Sequence, residues 1–408
     1  MKKDIFRKLH LWLSVPFGLV MVITCLTGAI LVFEDEVTAL CNKDVATVEA
    51  KGDPLPFRTL VESVEKSLPD GVSVSGVVAS ENPTDAYKIN LSKPKSAALY
   101  VNQYTGEVTG EAGRLPFFGI IFRLHRWLLD SNPGNGAVFW GKMIVGASTI
   151  AFVVILLTGL VIWWPRNRKM LKNRLQIALK KGKNRFWYDL HVAGGFYALL
   201  LLLVMALTGL TWSFEWYRNG AYALFGAGEA KQAAVVERKT PKIAETPVCP
   251  GSCRDCTLPV CVKRVENKNT AVEQSGMERW NVDAVTAATK FDSWQKAYEN
   301  VVTMVPHFET ITVSAGTVSV KVSKYGNLRA ADKYMFDEDN GAITSVELYK
   351  DSASKGKLSG WFYSLHTGSW GGLLVRVLYF LAALFGATLP ITGYYFWIRR
   401  LYMKHKKA

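Results

Sequence analysis

Four long stretches of almost uncharged, apolar residues alternate with polar segments along the chain. Each exceeds about 20 residues, the length at which a helix crosses a hydrocarbon core of about 30 Å. Backbone polar groups in lipid must be satisfied within their own segment, so each stretch is predicted to be a transmembrane helix. The predicted spans are Leu11–Phe33, Val138–Trp164, His191–Phe214 and Leu373–Ile398.

The segments after the first and third spans show the period of two that is typical of strands. The first is predicted to hold a helix at Phe57–Leu68, strands at Val72–Ala79, Tyr87–Leu91 and Leu99–Asn102, and a turn at 104–107 leading into Val108. The second is predicted to hold a helix at Ser293–Val305 and strands at Thr310–Ser314, Thr317–Ser323, Lys333–Asp337 and Ile343–Tyr349, with a hairpin turn at 339–341. Each segment is therefore expected to be a small α+β domain, one helix on an antiparallel sheet.

These patterns divide the chain into eight segments. They are the first helix (1–33), the first α+β domain (34–124), an interfacial segment with the second helix (125–164), a basic loop (165–187), the third helix (188–214), the second α+β domain (215–365, with a Cys-rich insert at 249–261), the fourth helix (366–398) and a basic tail (399–408). The apolar run of the first helix is too long for a signal peptide, and no small-x-small site follows it, so it is expected to stay uncleaved.

The membrane helices form two matched pairs. His10 is followed by Thr-Gly after 17 and 18 residues and by Phe-Glu after 23 and 24, and His191 is followed by the same residues at the same distances. Ahead of the second and fourth spans, a Leu-His pair ends at His125 and at His366, and each span then carries a Thr-Gly pair near its end. The architecture is therefore predicted to be helix–domain–helix, repeated once.

The net positive charge of the chain is confined to three short segments. The chain has a formal net charge of +15. Residues 1–10, 165–187 and 399–408 hold 18 of the 49 basic residues and one of the 34 acidic residues. Because these segments alternate with the two domains, the distribution follows the positive-inside rule and places both chain ends in the cytoplasm. The same distribution argues against nucleic acid as a partner.

Four of the six histidines, His10, His125, His191 and His366, occupy equivalent places in the repeated elements. The topology puts His10 and His191 at the cytoplasmic face and His125 and His366 at the outer face. Ionisable groups at membrane depth are costly and commonly functional. Two neutral imidazoles facing each other across a bundle suit the axial positions of a haem iron, so two haems, one per leaflet, are predicted.

The kind of cofactor follows from the remaining residues. No Cys-x-x-Cys-His motif occurs, so covalent attachment is excluded and the haems would be b-type. Zinc is the alternative for either pair, although two histidines supply only half of a tetrahedral site. Arg123, Arg126 and Arg376 are candidates for pairing with haem propionates on the outer side. Glycines near the ligands are expected to let a flat ring approach the helix backbones closely. They are Gly18, Gly194, Gly195, Gly368, Gly371 and Gly372.

Several motifs together resemble the PepSY-associated transmembrane family. They are Leu-His-Arg-Trp-Leu-Leu at 124–129, the Thr-Gly-x-x-x-Trp exits of the second and fourth spans, Leu-His-Thr-Gly at 365–368 and Tyr-Val-Asn-Gln-Tyr-Thr-Gly-Glu at 100–107. The family includes iron-regulated inner-membrane proteins and ferrioxamine-type siderophore reductases. The resemblance covers nearly the whole chain. It implies two periplasmic PepSY-like domains, bis-histidine haem b at the four histidines, and reduction of a ferric siderophore at the bacterial inner membrane.

The remaining cysteines and histidines have weaker signals. Cys249, Cys253, Cys256 and Cys261 depart from the family pattern. Because thiols in an oxidising compartment usually pair, disulfides are favoured over a Cys₄ zinc or iron–sulfur site, which stays the alternative. The other Cys and His residues are expected to be inert, structural or solvated, and they are Cys25, Cys41, His307 and His405.

Two classes of function compete. The first is a transmembrane haem reductase, whose electron donor must be external because no dinucleotide- or flavin-binding motif occurs: a quinol, or a cytoplasmic reductase docking on the basic loop at 165–187. The second is a non-redox membrane anchor whose outer domains regulate a peptidase or sense an envelope ligand. A permease is disfavoured, because no broken helix with a charged midplane is evident.

Overall fold

The first half of the chain folds as a long helix, a group of strands and a second long helix. The computed structural model describes residues 2–94, 96–134, 136–227, 282–321 and 326–406. The elements of the first half are α1 (Lys2–Leu31), α2 (Glu34–Cys41), α3 (Lys43–Ala46), α4 (Phe57–Glu65), β1 (Val74–Ser80), β2 (Tyr87–Leu91), β3 (Ala98–Val101), β4 (Val108–Glu111), α5 (Pro116–Trp127) and α6 (Trp140–Trp163).

The second half repeats this order. Its elements are α7 (Arg168–Leu175), α8 (Lys183–Asp189), a π-helical turn (Leu190–Gly194), α9 (Gly195–Ser213), α10 (Glu215–Leu224), α11 (Val282–Met304), β5 (Thr310–Ser314), β6 (Thr317–Lys321), β7 (Asp332–Phe336), β8 (Ile343–Glu347), α12 (Ser354–Thr367) and α13 (Gly372–His405), with short 3₁₀ turns at Tyr349–Asp351 and Ser369–Gly371.

Among the described residues, four helical segments are long and apolar enough to cross a membrane. They are Lys3–Leu31, Trp140–Trp163, Lys183–Ser213 and Ser369–Met403, with mean hydropathies of 2.1, 2.5, 2.2 and 1.9. The prediction of four membrane helices is therefore confirmed. Three of the four helices begin or end well beyond the predicted apolar span, because the flanking Lys, Arg and Leu residues also favour helix. Where the four helices meet, the buried side chains are small or apolar, including Met21, Leu156, Leu202, Ala206 and Ala382.

The eight strands of the described part of the chain lie in one antiparallel sheet, in the order β4-β3-β2-β1-β5-β6-β7-β8. Each half of the chain contributes a four-stranded meander, and the meanders join through β1 and β5, where Val77 lies opposite Val313. The structure differs here from the expectation of two separate sheets. A strand at the edge of a small sheet carries unpaired backbone groups, and pairing the two edges satisfies them.

Helices α4 and α11 cover one face of the sheet and form the core with it. Leu60, Val61 and Val64 of α4 and Trp294 of α11 are fully buried against strand residues such as Val77. Buried and half-buried positions alternate along β5 and β6. The bounds of β5 agree with the predicted strand, whereas β6, predicted to reach Ser323, is described as far as Lys321. The sheet-bearing region is consistent with the two predicted α+β units.

The helix bundle has two chemically different ends. The sheet is connected to the end where α1 and α9 finish and where α6 and α13 begin. We call this end the sheet side. The opposite end, where α1 begins, α13 finishes and α7 connects α6 to α8, is called the far side.

Candidate cofactor sites

The far-side histidine pair joins the two halves of the chain. His10 lies in α1 and His191 lies in the π-helical turn that leads into α9. Their ring centres are 6.4 Å apart and the ring planes are inclined by 81°. One extra residue in a helical turn rotates the following side chains, which is why π turns recur at functional positions. The sequence predicted this pairing but not the π turn.

The sheet-side histidine pair lies at the opposite end of the bundle. His125 is in the last turn of α5 and His366 is in the last turn of α12. Their ring centres are 6.2 Å apart and the ring planes are inclined by 57°. Burial lowers the pKa of His125 and of His366 to about 4, with the neighbouring imidazole and Arg126 lowering the pKa of His366 further. Both rings are therefore neutral near pH 7, the form in which imidazole binds a metal.

Each histidine is held through its Nδ1 atom by the Thr-Gly pair of the neighbouring helix in the same half of the chain. Nδ1 of His10 lies 3.0 Å from the carbonyl oxygen of Ile155 and 3.2 Å from Oγ1 of Thr158. The carbonyl oxygen of Thr24 lies 3.0 Å from Nδ1 of His125, and that of Met205 lies 2.9 Å from Nδ1 of His366. The Oγ1 atoms of Thr27 and Thr208 lie 3.2 Å from Nδ1 of His125 and His366, respectively. Oγ1 of Thr392 lies 2.8 Å from Nδ1 of His191.

These contacts fix the tautomer of all four rings. Each threonine hydroxyl lies within hydrogen-bond distance of a carbonyl of its own helix, as Thr158 does to Val154 at 2.8 Å. A hydroxyl that donates to that carbonyl can only accept from the imidazole, so Nδ1 carries the proton. Nε2 is then the unprotonated nitrogen, and metal-binding histidines commonly have this arrangement.

The glycine of each Thr-Gly pair gives the imidazole room. A Cβ atom at Gly28 would lie 3.0 Å from Cε1 of His125, and a Cβ atom at Gly209 would lie 3.0 Å from Cε1 of His366. The corresponding distances are 3.3 Å at Gly159 and 4.0 Å at Gly393. A methyl group at the two tightest positions would push the ring away.

The sequence predicts the repeat from the Thr-Gly pairs but does not by itself show that their glycines make room for the imidazoles. The sequence-based expectation attributes close approach to other glycines near the ligands. A Cβ atom at Gly194 would lie against Phe385 and one at Gly368 against Tyr379, so these two glycines serve the packing of helices and turns. Gly18 and Gly195 instead line the cavity beside His10 and His191. The glycines that contact the imidazoles have one signal in the sequence, which is the repetition of Thr-Gly in both halves of the chain.

The spacing of each histidine pair can be compared with the spacing that a shared metal requires. Two metal–imidazole bonds of about 2.0–2.1 Å each, with each ring centre about 1.1 Å beyond its nitrogen, give a separation of about 6.2–6.4 Å. The observed separations of 6.2 and 6.4 Å match it. Within the described residues, no group of three or more His, Cys, Asp or Glu side chains comes together. A two-imidazole donor set fits the axial positions of a haem better than it fits tetrahedral zinc.

A cavity of about 490 Å³ opens between α1, α6, α9 and α13 beside the far-side pair. Its walls are mainly apolar, and both His10 and His191 contribute to them. Arg7, Arg174 and Arg400 line the same cavity. An apolar slot bordered by guanidinium groups suits a flat apolar group with carboxylate substituents. Sequence reasoning named no arginine on this side, because only the tertiary arrangement brings these three segments together.

The three arginines named from the sequence lie near the sheet-side pair but differ in their partners. Arg126 lies over the rings of Phe122 and Trp127, at 5.4 and 5.1 Å from their centres. Arg123 donates to the carbonyl oxygen of Leu129 at 3.1 Å. Arg376 donates to the carbonyl oxygen of Val32 at 3.0 Å and also forms ion pairs with acidic residues of α2, Asp35 and Glu36. Arg376 is thus engaged by the end of α1 and by α2.

The remaining candidates are six cysteines and two histidines outside the two pairs. Cys249, Cys253, Cys256 and Cys261 lie outside the described residues, as does the side chain of His405. Cys25 and Cys41 are free thiols. His307 is exposed and lies 3.2 Å from a carboxylate oxygen of Glu81.

Comparison with known families identifies one family over nearly the whole chain. No curated protein matches the chain. The sequence profile of the family described as the PepSY-associated TM region matches residues 7–400, which takes in both histidine pairs, all four Thr-Gly pairs and the whole sheet. The chain therefore belongs to the PepSY-associated transmembrane family.

Proposed function

We propose that the chain is a transmembrane reductase that holds one b-type haem on each histidine pair and delivers electrons to a ferric siderophore. One observation carries the proposal. At each end of the bundle two imidazoles face each other at 6.2 or 6.4 Å, and every Nδ1 atom is hydrogen-bonded to a neighbouring helix.

The proposal assigns a definite task to each group of residues. His10 with His191, and His125 with His366, would hold the two haems, which when bound supply one-electron transfer. The Nδ1–H bonds fix the ring orientation and raise the basicity of Nε2. The apolar walls keep water away from the far-side pair, and Arg7, Arg174 and Arg400 are placed to neutralise carboxylates there.

The direction of electron flow rests on charge. The three basic segments lie at the far side of the bundle, so the positive-inside rule assigns the far side to the cytoplasm and the sheet to the periplasm of a bacterial inner membrane. Electrons would enter at the far-side pair, from a quinol or from a cytoplasmic reductase docking on the basic loop at 165–187. They would leave at the sheet-side pair.

The acceptor comes from the family resemblance. Reduction suits iron release, because Fe²⁺ binds hard oxygen-donor chelators far less tightly than Fe³⁺ does. The competing proposal, a non-redox anchor that regulates a peptidase or senses an envelope ligand, gives the two histidine pairs and their Thr-Gly partners no task.

A spectroscopic experiment on the purified full-length protein tests the proposal. We expect two non-covalent, six-coordinate, low-spin haems per chain by pyridine haemochrome, fully extracted by acid–acetone. Adding a ferric hydroxamate to the dithionite-reduced protein, freed of excess reductant, should reoxidise both haems and yield Fe²⁺ that a ferrous chelator traps. Absence of haem would refute the reductase. Retention of the reduced spectrum with ferric chelates but prompt reoxidation by a quinone would refute the iron acceptor alone.

A further inference from the structure

A second cavity, of about 520 Å³, lies on the sheet side between α10 and α12. Its size falls within the range of about 300–1,000 Å³ typical of small-molecule sites. Glu215, Arg218 and Asn219 of α10 line one wall, and Lys355 and Ser359 of α12 line the other. The stacked rings of Tyr222 and Phe362, inclined by 7°, also border it.

The cavity and the sheet-side histidine pair share a wall. Trp212, at the end of α9, lines the cavity, and its ring centre lies 5.2 Å from that of His366. On α12 the lining residues Lys355, Ser359 and Phe362 are spaced at i, i+4 and i+7, so they occupy one face of the helix. His366 follows at i+11, on the same face. The side chain of Trp212 therefore lies between His366 and a molecule bound in the cavity.

The first half of the chain differs at the place equivalent to this cavity, and the sequence explains the difference. Counted from the histidines, Glu34 corresponds to Glu215 and Arg114 to Lys355. Arg114 donates to Glu34 at 2.5 and 3.2 Å, which ties α2 to the segment before α5. Glu215 instead pairs with Arg218 of its own helix at 3.1 Å, and its side chain is 79% exposed.

The side chains that fill the space also differ. Leu115 and Phe118 in the first half correspond to Gly356 and Ser359 in the second. Phe118 is 2% exposed. A Cβ atom at Gly356 would meet no atom within 4 Å. The first half therefore has apolar bulk and an ion pair where the second half has polar groups and open space.

We propose that this second-half cavity is the binding site for the electron acceptor, an anionic ferric chelate with oxygen donors. Glu215 pairs with Arg218, so among the described residues Lys355 adds the further positive charge on the opposite wall of the cavity. Ser359 and Asn219 supply hydrogen-bonding groups. The site rests on the proposed reductase function. One electron from the external donor reduces the bound Fe³⁺ to Fe²⁺, no covalent bond to the protein forms, and Fe²⁺ leaves the oxygen ligands.

The test measures binding without electron transfer. The probe is the gallium(III) complex of an anionic citrate-based hydroxamate, because Ga³⁺ has the charge of Fe³⁺ and is not reduced under these conditions. Binding to the full-length protein in detergent is followed by titration calorimetry. The double variant Gly356→Leu/Ser359→Phe fills the cavity with the residues that the first half carries, and Lys355→Glu reverses its charge. Lys350→Glu, an exposed position outside the cavity, is the matched control.

We expect the filled variant and Lys355→Glu each to weaken binding about tenfold or more, with the control unchanged. The visible spectrum of each variant should equal that of the wild type, which shows that the bundle is intact. Wild-type affinity in the filled variant, or failure of the wild-type protein to bind the probe, would overturn the proposed site. Haem content tests the reductase independently, so failure of the site and failure of the function are distinguishable.

Discussion

The two histidine pairs are built by the same rule but lie in different surroundings. Each joins one imidazole from each half of the chain, and each imidazole is held by a Thr-Gly pair of its own half. The far-side pair opens onto an apolar cavity lined by arginines. The sheet-side pair packs tightly against Gly28 and Gly209 and is separated from a polar cavity by Trp212. The repeat therefore determines how a ligand pair is held, and the surroundings determine what can reach it.

Removing one imidazole should have the largest effect, and it should show which haem belongs to which histidine pair. We expect His366→Ala or His125→Ala to remove one of two haems and to leave the far-side haem intact, with His10→Ala or His191→Ala doing the reverse. Pyridine haemochrome should give one haem per chain in each variant. In the sheet-side variants the remaining haem is the far-side one, whose ligand rings are inclined by 81°, against 57° for the sheet-side rings. Its electron paramagnetic resonance signal should therefore be more anisotropic than the signal that remains in the far-side variants.

The pairing would be refuted by one specific result. If His10→Ala and His125→Ala removed the same spectral component, the two imidazoles would belong to one site. His10 and His191 would then not share a cofactor, and neither would His125 and His366.

Substituting the glycines should have an intermediate effect that distinguishes tight from loose contacts. Gly209→Ala places a methyl group 3.0 Å from Cε1 of His366, whereas a Cβ atom at Gly119 in α5 would meet no atom within 4 Å. Overpacking of the first kind costs about 1–3 kcal/mol, so Gly209→Ala should weaken haem retention on the sheet side. Gly119→Ala serves as the control and should retain both haems. Equal loss in the two variants would mean that the close approach has no role in holding the ring.

Removing a threonine hydroxyl should have the smallest effect. In Thr208→Val the carbonyl oxygen of Met205, 2.9 Å from Nδ1 of His366, can still accept the proton, so both haems should remain. Losing one of two hydrogen-bond acceptors, worth about 0.5–1.5 kcal/mol at most, makes the imidazole a weaker donor to Fe³⁺. The sheet-side midpoint potential should therefore rise by tens of millivolts or less, as about 59 mV corresponds to a tenfold change for one electron.

The control for this measurement is Thr149→Val. The hydroxyl of Thr149 donates within α6 to the carbonyl oxygen of Val145 at 2.7 Å. Its loss should leave both potentials unchanged. A fall in the sheet-side potential of Thr208→Val would contradict the assignment of the hydroxyl as an acceptor.

The sequence predicted the features that depend on local pattern. Apolar length gave the four membrane helices, period-two alternation gave strands such as Thr310–Ser314, and the repeat offsets gave the correct partners among the histidines. These signals are readable because each depends on residues close together in the chain or on exact repetition.

Features that depend on tertiary contact were not predictable. The joining of β1 to β5 requires knowing which strand edges meet, and the gathering of Arg7, Arg174 and Arg400 requires the packing of helices far apart in sequence. The attachment of Arg376 to Val32 spans 344 residues. The π turn at His191 leaves no mark in the apolar pattern, because neighbouring positions in a membrane helix are all apolar.

The β1–β5 junction has a consequence for how such a molecule could arise. Antiparallel pairing of equivalent strands is a contact that a twofold axis generates, and it places a residue opposite its own counterpart. The same axis brings His10 to His191 and His125 to His366, which are also counterparts. A half-length chain that formed a symmetric dimer would therefore complete the sheet and both histidine pairs, because each copy would supply one member of every pair. Joining two such copies in one chain allows each half to differ, as the filled space beside Phe118 and the cavity beside Ser359 do.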